Sequence, residues 1–229
     1  MRTTLPRTAV LWTGGKDCNL ALYEAKVSGY PVFMLVTFIM SKSKFKAHPI
    51  RLMKLQSESL GIQHISIPIS TPYKDNYEKA IRKLNKEYGI ETLVTGDIAE
   101  VNGNTNWITE RCKPMGVKVI LPLWHRDRED ILNQLFTLNY KVIFTFVKQP
   151  WFDASWLGTV LNDGTQKKFR NIKNLDHCGE QGEYHTMTLD GPGYRKAISI
   201  DAYSTCTENG VSYMNYHKTS FKKKLLEHL

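Results

Sequence analysis

Over the first two-thirds of the chain, short unbroken apolar runs alternate with stretches where apolar residues recur every three or four positions. This alternation marks parallel strands joined by crossover helices. Residues 8–12 form a continuous apolar run and read as a strand buried on both faces. Residues 17–28 then read as a helix with Leu20, Tyr23 and Val27 on one stripe, Ala21 and Ala25 beside it, and Gly29 as its C-terminal cap. The alternation continues with a strand at 32–39, a helix at 50–60 stopped by Gly61, and a strand at 64–67. A helix at 76–88 stopped by Gly89 follows, then a strand at 92–95 that delivers Gly96 and Asp97 at its C-terminal end. A helix at 107–113 and a strand at 117–121 complete five strands, after which Asp127 reads as the N-cap of a helix burying Ile131, Leu132, Leu135 and Phe136.

The remainder follows another pattern. A strand is expected at 142–147, helices at 156–161 and 167–175, and strands at 184–189, 196–203 and 211–217. The fold expected is α/β, a Rossmann-like parallel five-stranded sheet with flanking helices over residues 1–147. A smaller C-terminal α+β subdomain is expected over 148–229.

Composition sets outer bounds. With 229 residues, 41% of them apolar, the chain can bury a substantial core. Four cysteines, Cys18, Cys112, Cys178 and Cys206, form no C-x-x-C pair and are too scattered for a disulfide framework, which suits a reducing compartment. Residues 1–7 lack the apolar stretch of a signal peptide, and no segment approaches a bilayer span, so a cytoplasmic protein without a membrane partner is expected. The formal charge of +9 suits phosphate-rich partners. Part of it sits in two lysine clusters, at 42–46 and 222–224, that read as solvated segments.

The most informative stretch is Thr13-Gly14-Gly15-Lys16-Asp17-Cys18, between the first strand and the first helix. It fits neither G-x-x-x-x-G-K-[ST] nor G-x-G-x-x-G. Its chemistry still suits an oxyanion: glycines permit a sharp turn and close backbone approach, and a helix N-terminus directs N–H groups at the anion. That terminus contributes about 0.3–1 kcal/mol. Lys16 adds a full charge, and Asp17 can hold a magnesium ion bridging phosphate oxygens. The bland alternative is an ordinary strand-to-helix turn. The stretch resembles the S-G-G-K-D-S signature of the PP-loop ATP pyrophosphatases, with Thr13 and Cys18 replacing the two serines.

A second block, Cys178-Gly179-Glu180-Gln181-Gly182-Glu183-Tyr184-His185-Thr186 with Asp190-Gly191-Pro192, resembles the diphthine-ammonia ligase family's C-G-E-x-G-E-[YF]-[HE]-T and D-G-P segments. Gly96-Asp97-Ile98, Leu121-Pro122-Leu123-Trp124 and residues 56–62 resemble further segments of that family, in order along nearly the whole chain. The resemblance implies a HUP-type Rossmann-like fold and an AMP- and pyrophosphate-forming ligase. ATP would adenylate a carboxylate, and ammonia would displace AMP to give an amide. Its cofactors would be ATP and Mg2+, and its partners ammonia and a carboxylate acceptor.

On this reading Thr13, Gly14, Gly15, Lys16, Asp17 and Cys18 take the phosphates, with Lys16 and Asp17 catalytic. Thr37, Phe38, Gly96 and Asp97 follow strand ends where ligands of parallel sheets bind. Phe38 and Ile39 are placed to flank adenine, Gly96 to permit close approach, and Asp97 to meet ribose, magnesium or a substrate amine. Core or turn roles are the alternatives for each. Glu180 and Glu183 are further catalytic and substrate candidates, one orienting ammonia or accepting a proton from the attacking amine, because two carboxylates among glycines are poorly explained by packing. His48, Trp107, Glu110 and His185 are weaker substrate candidates.

The chain departs from the family's diphthine-specific members after Gly96-Asp97-Ile98. Where those carry arginines, it has Glu100-Val101-Asn102-Gly103-Asn104-Thr105-Asn106-Trp107. The acceptor is therefore left open between diphthine and another carboxylate. A PP-loop enzyme that modifies tRNA and a non-catalytic nucleotide-binding protein are the alternatives. The absence of paired cysteines and of a separate basic module weighs against RNA. A homodimer is compatible with everything above.

Overall fold

A computed structural model describes residues 5–40, 47–100 and 106–224. The lysine cluster at 42–46 and the polar loop at 102–105 lie outside these residues. The elements run β1 (Thr8–Leu11), α1 (Lys16–Val27), β2 (Val32–Met40), α2 (Ile50–Leu60), β3 (Gln63–Ile69), α3 (Tyr73–Tyr88), β4 (Thr92–Val94), α4 (Trp107–Cys112) and β5 (Lys118–Ile120). They continue with α5 (Arg128–Thr137), β6 (Lys141–Lys148), β7 (Val160–Leu161), α6 (Asp163–Phe169), β8 (Tyr184–Asp190), β9 (Ala197–Glu208) and β10 (Val211–Lys222).

The chain divides into two compact units. The first holds β1 to β5 with α1 (beyond Lys16), α3 and α4. Its five strands are parallel in the order β3-β2-β1-β4-β5, which is the expected Rossmann-like sheet. The strands are apolar runs because both sheet faces are covered. Ala9, Met34, Val36 and Leu93 from the sheet pack with Ile81 and Leu84 of α3 and with Cys112 of α4. Burial pushes the Cys112 thiol up to about 12. Gly29 closes α1 at φ +82°, with the Tyr30 amide donating back to Ala25. The buried face of α1 is Leu20, Ala21, Leu22 and Ala25, whereas Val27, expected on the stripe, is exposed at the last turn.

The second unit gathers Gly14–Lys16, α2 and the chain from Arg126 onward. Its sheet is antiparallel, ordered β7-β6-β10-β9, with β8 also paired to β6. This differs from the boundary expected near residue 147. The physical reason is that β6 takes no partner in the parallel sheet and pairs with β7, β8 and β10, drawing α5 with it. Around Phe144 of β6 cluster Phe152, Trp156, Phe169 and Tyr184, with ring centroids 4.8–6.3 Å away.

Two helices expected here are corrected. Residues 156–161 make a single 3-10 turn at Ala154–Trp156, capped by Asp153, followed by Gly158 at φ +80° and strand β7. The helix expected at 167–175 is α6, which starts earlier at a capping box between Asn162 and Thr165 and stops at Phe169. The last two strands are longer than the apolar runs suggest, since β9 and β10 pair along a hairpin whose outer residues are largely exposed.

Candidate active site

The turn after β1 divides between the units: Thr13 and Asp17 onward group with the first, Gly14–Lys16 with the second. In the second unit the turn is sewn to β8. The Thr188 amide donates to Gly14 O (2.9 Å), the Lys16 amide donates to Thr186 Oγ1 (3.1 Å), and Gln56 Nε2 of α2 donates to both Gly14 O (2.8 Å) and Thr188 O (2.7 Å). Gly14 lies at φ +80°, and a Cβ there would stand 2.5 Å from Gln56 Oε1 and 2.7 Å from the Met187 methyl. A Cβ on Gly15 would stand 3.2 Å from Thr186 O. These glycines therefore let the turn lie flat on β8 and α2, a packing reason beside the ligand-approach reason read from the motif.

Lys16 is buried. Its ammonium donates to Cys178 O and lies 5.5 Å from the centroid of the Tyr184 ring. Cys178 belongs to a segment held from inside. Glu183, also buried, accepts the Asp176 amide on Oε1 and the Gln181 amide on Oε2, both at 3.0 Å. Asp176 accepts the Cys178 amide (2.8 Å) and pairs with Arg128 (3.1 Å). Tyr184 OH donates to His177 O (2.6 Å). Glu183 thus anchors backbone, while Glu180 is half-buried in the same segment.

His48 and His185 meet edge to face at 5.2 Å, and His48 Cε1 lies 3.6 Å from the Cβ position of Gly15. Both are therefore neighbours of the turn. Burial, and after it the Lys16 ammonium, pushes the His185 imidazole down to about 4.

The first unit holds the other candidates. The Thr13 hydroxyl donates to Cys18 Sγ (3.7 Å), which is buried. Gly96, at the end of β4, presses on the first turn of α1, where a Cβ would stand 2.6 Å from the Asp17 carbonyl carbon and 2.7 Å from the Cys18 nitrogen. These groups meet where the strand order reverses, the position at which open α/β sheets bind ligands. Asp17 is half-buried beside them. Thr37 is buried, donates to Trp12 O and meets His64 Nε2 at 2.8 Å, so it ties β2 to the end of β1. Phe38 packs edge-on against Tyr77 (5.0 Å), and Tyr77 against Trp107 (4.5 Å). Trp107 is 43% exposed. Asp97 accepts from Asn106 Nδ2, and Asn106 caps α4 through the Thr109 amide (3.0 Å). Glu110 pairs with Lys113 (2.7 Å), which holds its carboxyl below the usual range.

Sequence reasoning did not single out Gln56, Asp176 and Arg128 as site residues. Gln56 carries a legible signal: it is a polar residue on the buried face of α2, in line with Leu52, Met53, Ser59 and Leu60. Arg128 carries none, and the signal of Asp176, an aspartate two residues before the amide it accepts, is that of any local turn.

Among the described residues no group of three or more His, Cys, Asp or Glu gathers as a metal cage, and no helix is long and apolar enough to cross a membrane.

Comparison with known proteins matches residues 6–119 to the diphthamide synthase N-terminal domain and residues 127–221 to the diphthamide synthase C-terminal domain. The junction lies beside Arg126, where the last segment of the second unit begins. A relative from Homo sapiens named diphthine–ammonia ligase is 31% identical over 223 aligned positions, covering 86% of this chain and 83% of the relative. One of the same name from Mus musculus is 23% identical over 252 aligned positions, covering 96% and 94%. A third from Schizosaccharomyces pombe is 29% identical over 156 positions, and the match spans only 26% of that longer protein. A solved structure described as a predicted subunit of tRNA methyltransferase from Methanocaldococcus jannaschii is similar at 18% identity and TM-score 0.48, covering 82% of this chain and 98% of that one.

Proposed function

The chain belongs to the diphthamide synthase family, and from that premise we propose that it is an ATP-dependent ligase that forms AMP and pyrophosphate while amidating a carboxylate with ammonia. The observation that carries this reading is the match to both family domains in order, over a chain whose Gly14–Lys16 turn is built into the C-terminal sheet. Relatives named as ligases favour it over the RNA-modifying and non-catalytic alternatives.

The chemistry balances in two steps. A carboxylate oxygen of the acceptor attacks the α-phosphorus of ATP, the bond to the bridging oxygen breaks, and pyrophosphate leaves. Ammonia then attacks the acyl carbon, the acyl–oxygen bond breaks, AMP leaves, and the nitrogen sheds a proton. Attack at phosphorus spreads negative charge over the phosphoryl oxygens, which fixed positive groups stabilise. Lys16 supplies such a charge beside the turn. Its ammonium, a donor-only group held at Cys178 O, would present that charge to a phosphate oxygen. Magnesium suits the donor set, since it is commonly held by one or two carboxylates together with phosphate oxygens and water. Asp17 would hold it, and it would neutralise phosphate charge.

Residues of the first unit, Thr37, Phe38, Gly96 and Asp97, line up with the nucleotide half of the proposal. Thr37 and Phe38 serve it through packing that shapes the strand end rather than by presenting free polar groups. In the second unit His48, Glu180 and His185 are the candidates nearest the amidation chemistry. Among these, a largely neutral His185 can accept a hydrogen bond from ammonia or ammonium. Trp107 and Glu110 remain candidates for acceptor contact. The acceptor is a carboxylate on a small molecule or a protein side chain.

The test uses ATP, magnesium, isotope-labelled ammonium and an extract of candidate acceptors. Label appearing in an amide only when ATP and protein are both present supports the proposal. ATP turnover that is indifferent to ammonium and leaves no labelled amide overturns it.

A further inference from the structure

We infer that Asp176 is a positioning residue for Lys16, acting through the Cys178 backbone. The inference deepens the proposed function and rests on its reading of Lys16 as a phosphate ligand.

Cys178 is fixed at three points. Its amide donates to Asp176 Oδ1 (2.8 Å), its thiol donates to Arg128 O (3.7 Å), and its carbonyl accepts the Lys16 ammonium. The first contact sets the direction of the third, because an Asp side chain that caps an amide two residues on locks the intervening peptide planes. Asp176 is itself held on both sides. Arg128 Nε pairs with its carboxylate at 3.1–3.3 Å, and Glu183 takes its amide. Gly179, at φ +75°, continues the turn where a Cβ would stand 2.8 Å from Tyr184 O. A path of adjacent contacts thus runs from Arg128 and Glu183 through Asp176 and Cys178 to the lysine.

The path has a purpose that packing alone does not supply. Lysine has a long, flexible stem, and ordering it only when nucleotide arrives would cost rotamer entropy at that moment. A carbonyl already aimed at the ammonium orders it beforehand. The two glutamates of the motif therefore differ: Glu183 is spent on backbone, and its effect on substrate is indirect.

The experiment is a double-mutant cycle read by equilibrium ATP binding, with thermal unfolding of each variant as a fold control. Asp176→Ala weakens ATP binding about tenfold when Lys16 is present and by less than about twofold in the Lys16→Ala background, since the two act as one unit. Asp176→Asn keeps an acceptor for the Cys178 amide and stays within about threefold of the unmodified protein. If Asp176→Ala does not fold, Arg128→Met enters the same cycle, with an expected loss of about threefold that disappears in the Lys16→Ala background. Equal losses in both backgrounds, or Asn as damaging as Ala, overturn the inference. Silence of Lys16→Ala is a separate result: it removes the phosphate role of Lys16, and this inference falls with it.

Discussion

Glycine tolerance separates the roles of single residues. Gly29 and Gly14 both sit at positive φ, but a Cβ on Gly29 meets nothing within 4 Å, whereas one on Gly14 meets Gln56 and Met187. Gly29→Ala is expected to cost about 1 kcal/mol from backbone strain alone, and Gly14→Ala about 2–3 kcal/mol. Gly96→Ala, where the obstruction is the backbone of α1, should exceed both. Urea midpoints of the three variants check the ranking. The motif revealed that glycine was required at 14 and 15, but not that a glutamine and a strand from far along the chain require it. His185 gives a pH prediction. Its folded value, about 4, lies below its ordinary 6.5, so between these limits the unfolded chain binds a proton that the folded chain does not. This contribution to stability is fully present above about pH 6.5 and is lost progressively as pH falls towards 4. His185→Gln should flatten that part of the stability profile measured by denaturation between these limits. An unchanged slope would mean that the imidazole titrates normally.

At the scale of elements, the parallel half was legible because each strand is a short apolar run and each helix has an end signal. Gly29, Gly61 and Gly89 all sit at positive φ at helix C-termini as read. The C-terminal half was less legible. Its aromatic residues are spaced by the needs of a cluster around β6, so 156–161 reads as helix where a turn and a strand stand, and the caps at Asp153 and Asn162 set the real boundaries. Phe144 stands at the centre of that cluster and is fully buried. Phe144→Ala is expected to destabilise by about 3–5 kcal/mol, measured by chemical denaturation, because the surrounding rings cannot collapse onto the space. A loss below about 1 kcal/mol would show that the cluster repacks. The change also bears on the site, since Tyr184 contacts both Phe144 and the Lys16 ammonium.

For the whole molecule, the two units carry different kinds of information. The first is a nucleotide-binding architecture shared by many chemistries, and its sheet order alone says little about the reaction. The second carries the motif at 178–186 and takes the Gly14–Lys16 turn as one of its own parts. That the turn and the motif meet could not be read from spacing, because 162 residues separate Lys16 from Cys178. The positive charge, +9, suits phosphate-bearing ligands but does not choose among them.

The central claim is that ATP is cleaved between its α- and β-phosphates with Lys16 in attendance. Phosphorus NMR of the products formed with ammonium and acceptor tests it most directly. AMP and pyrophosphate are expected in equal amounts from the unmodified protein, and neither from a folded Lys16→Ala variant. ADP and inorganic phosphate as the products, or full turnover without the lysine, would contradict it.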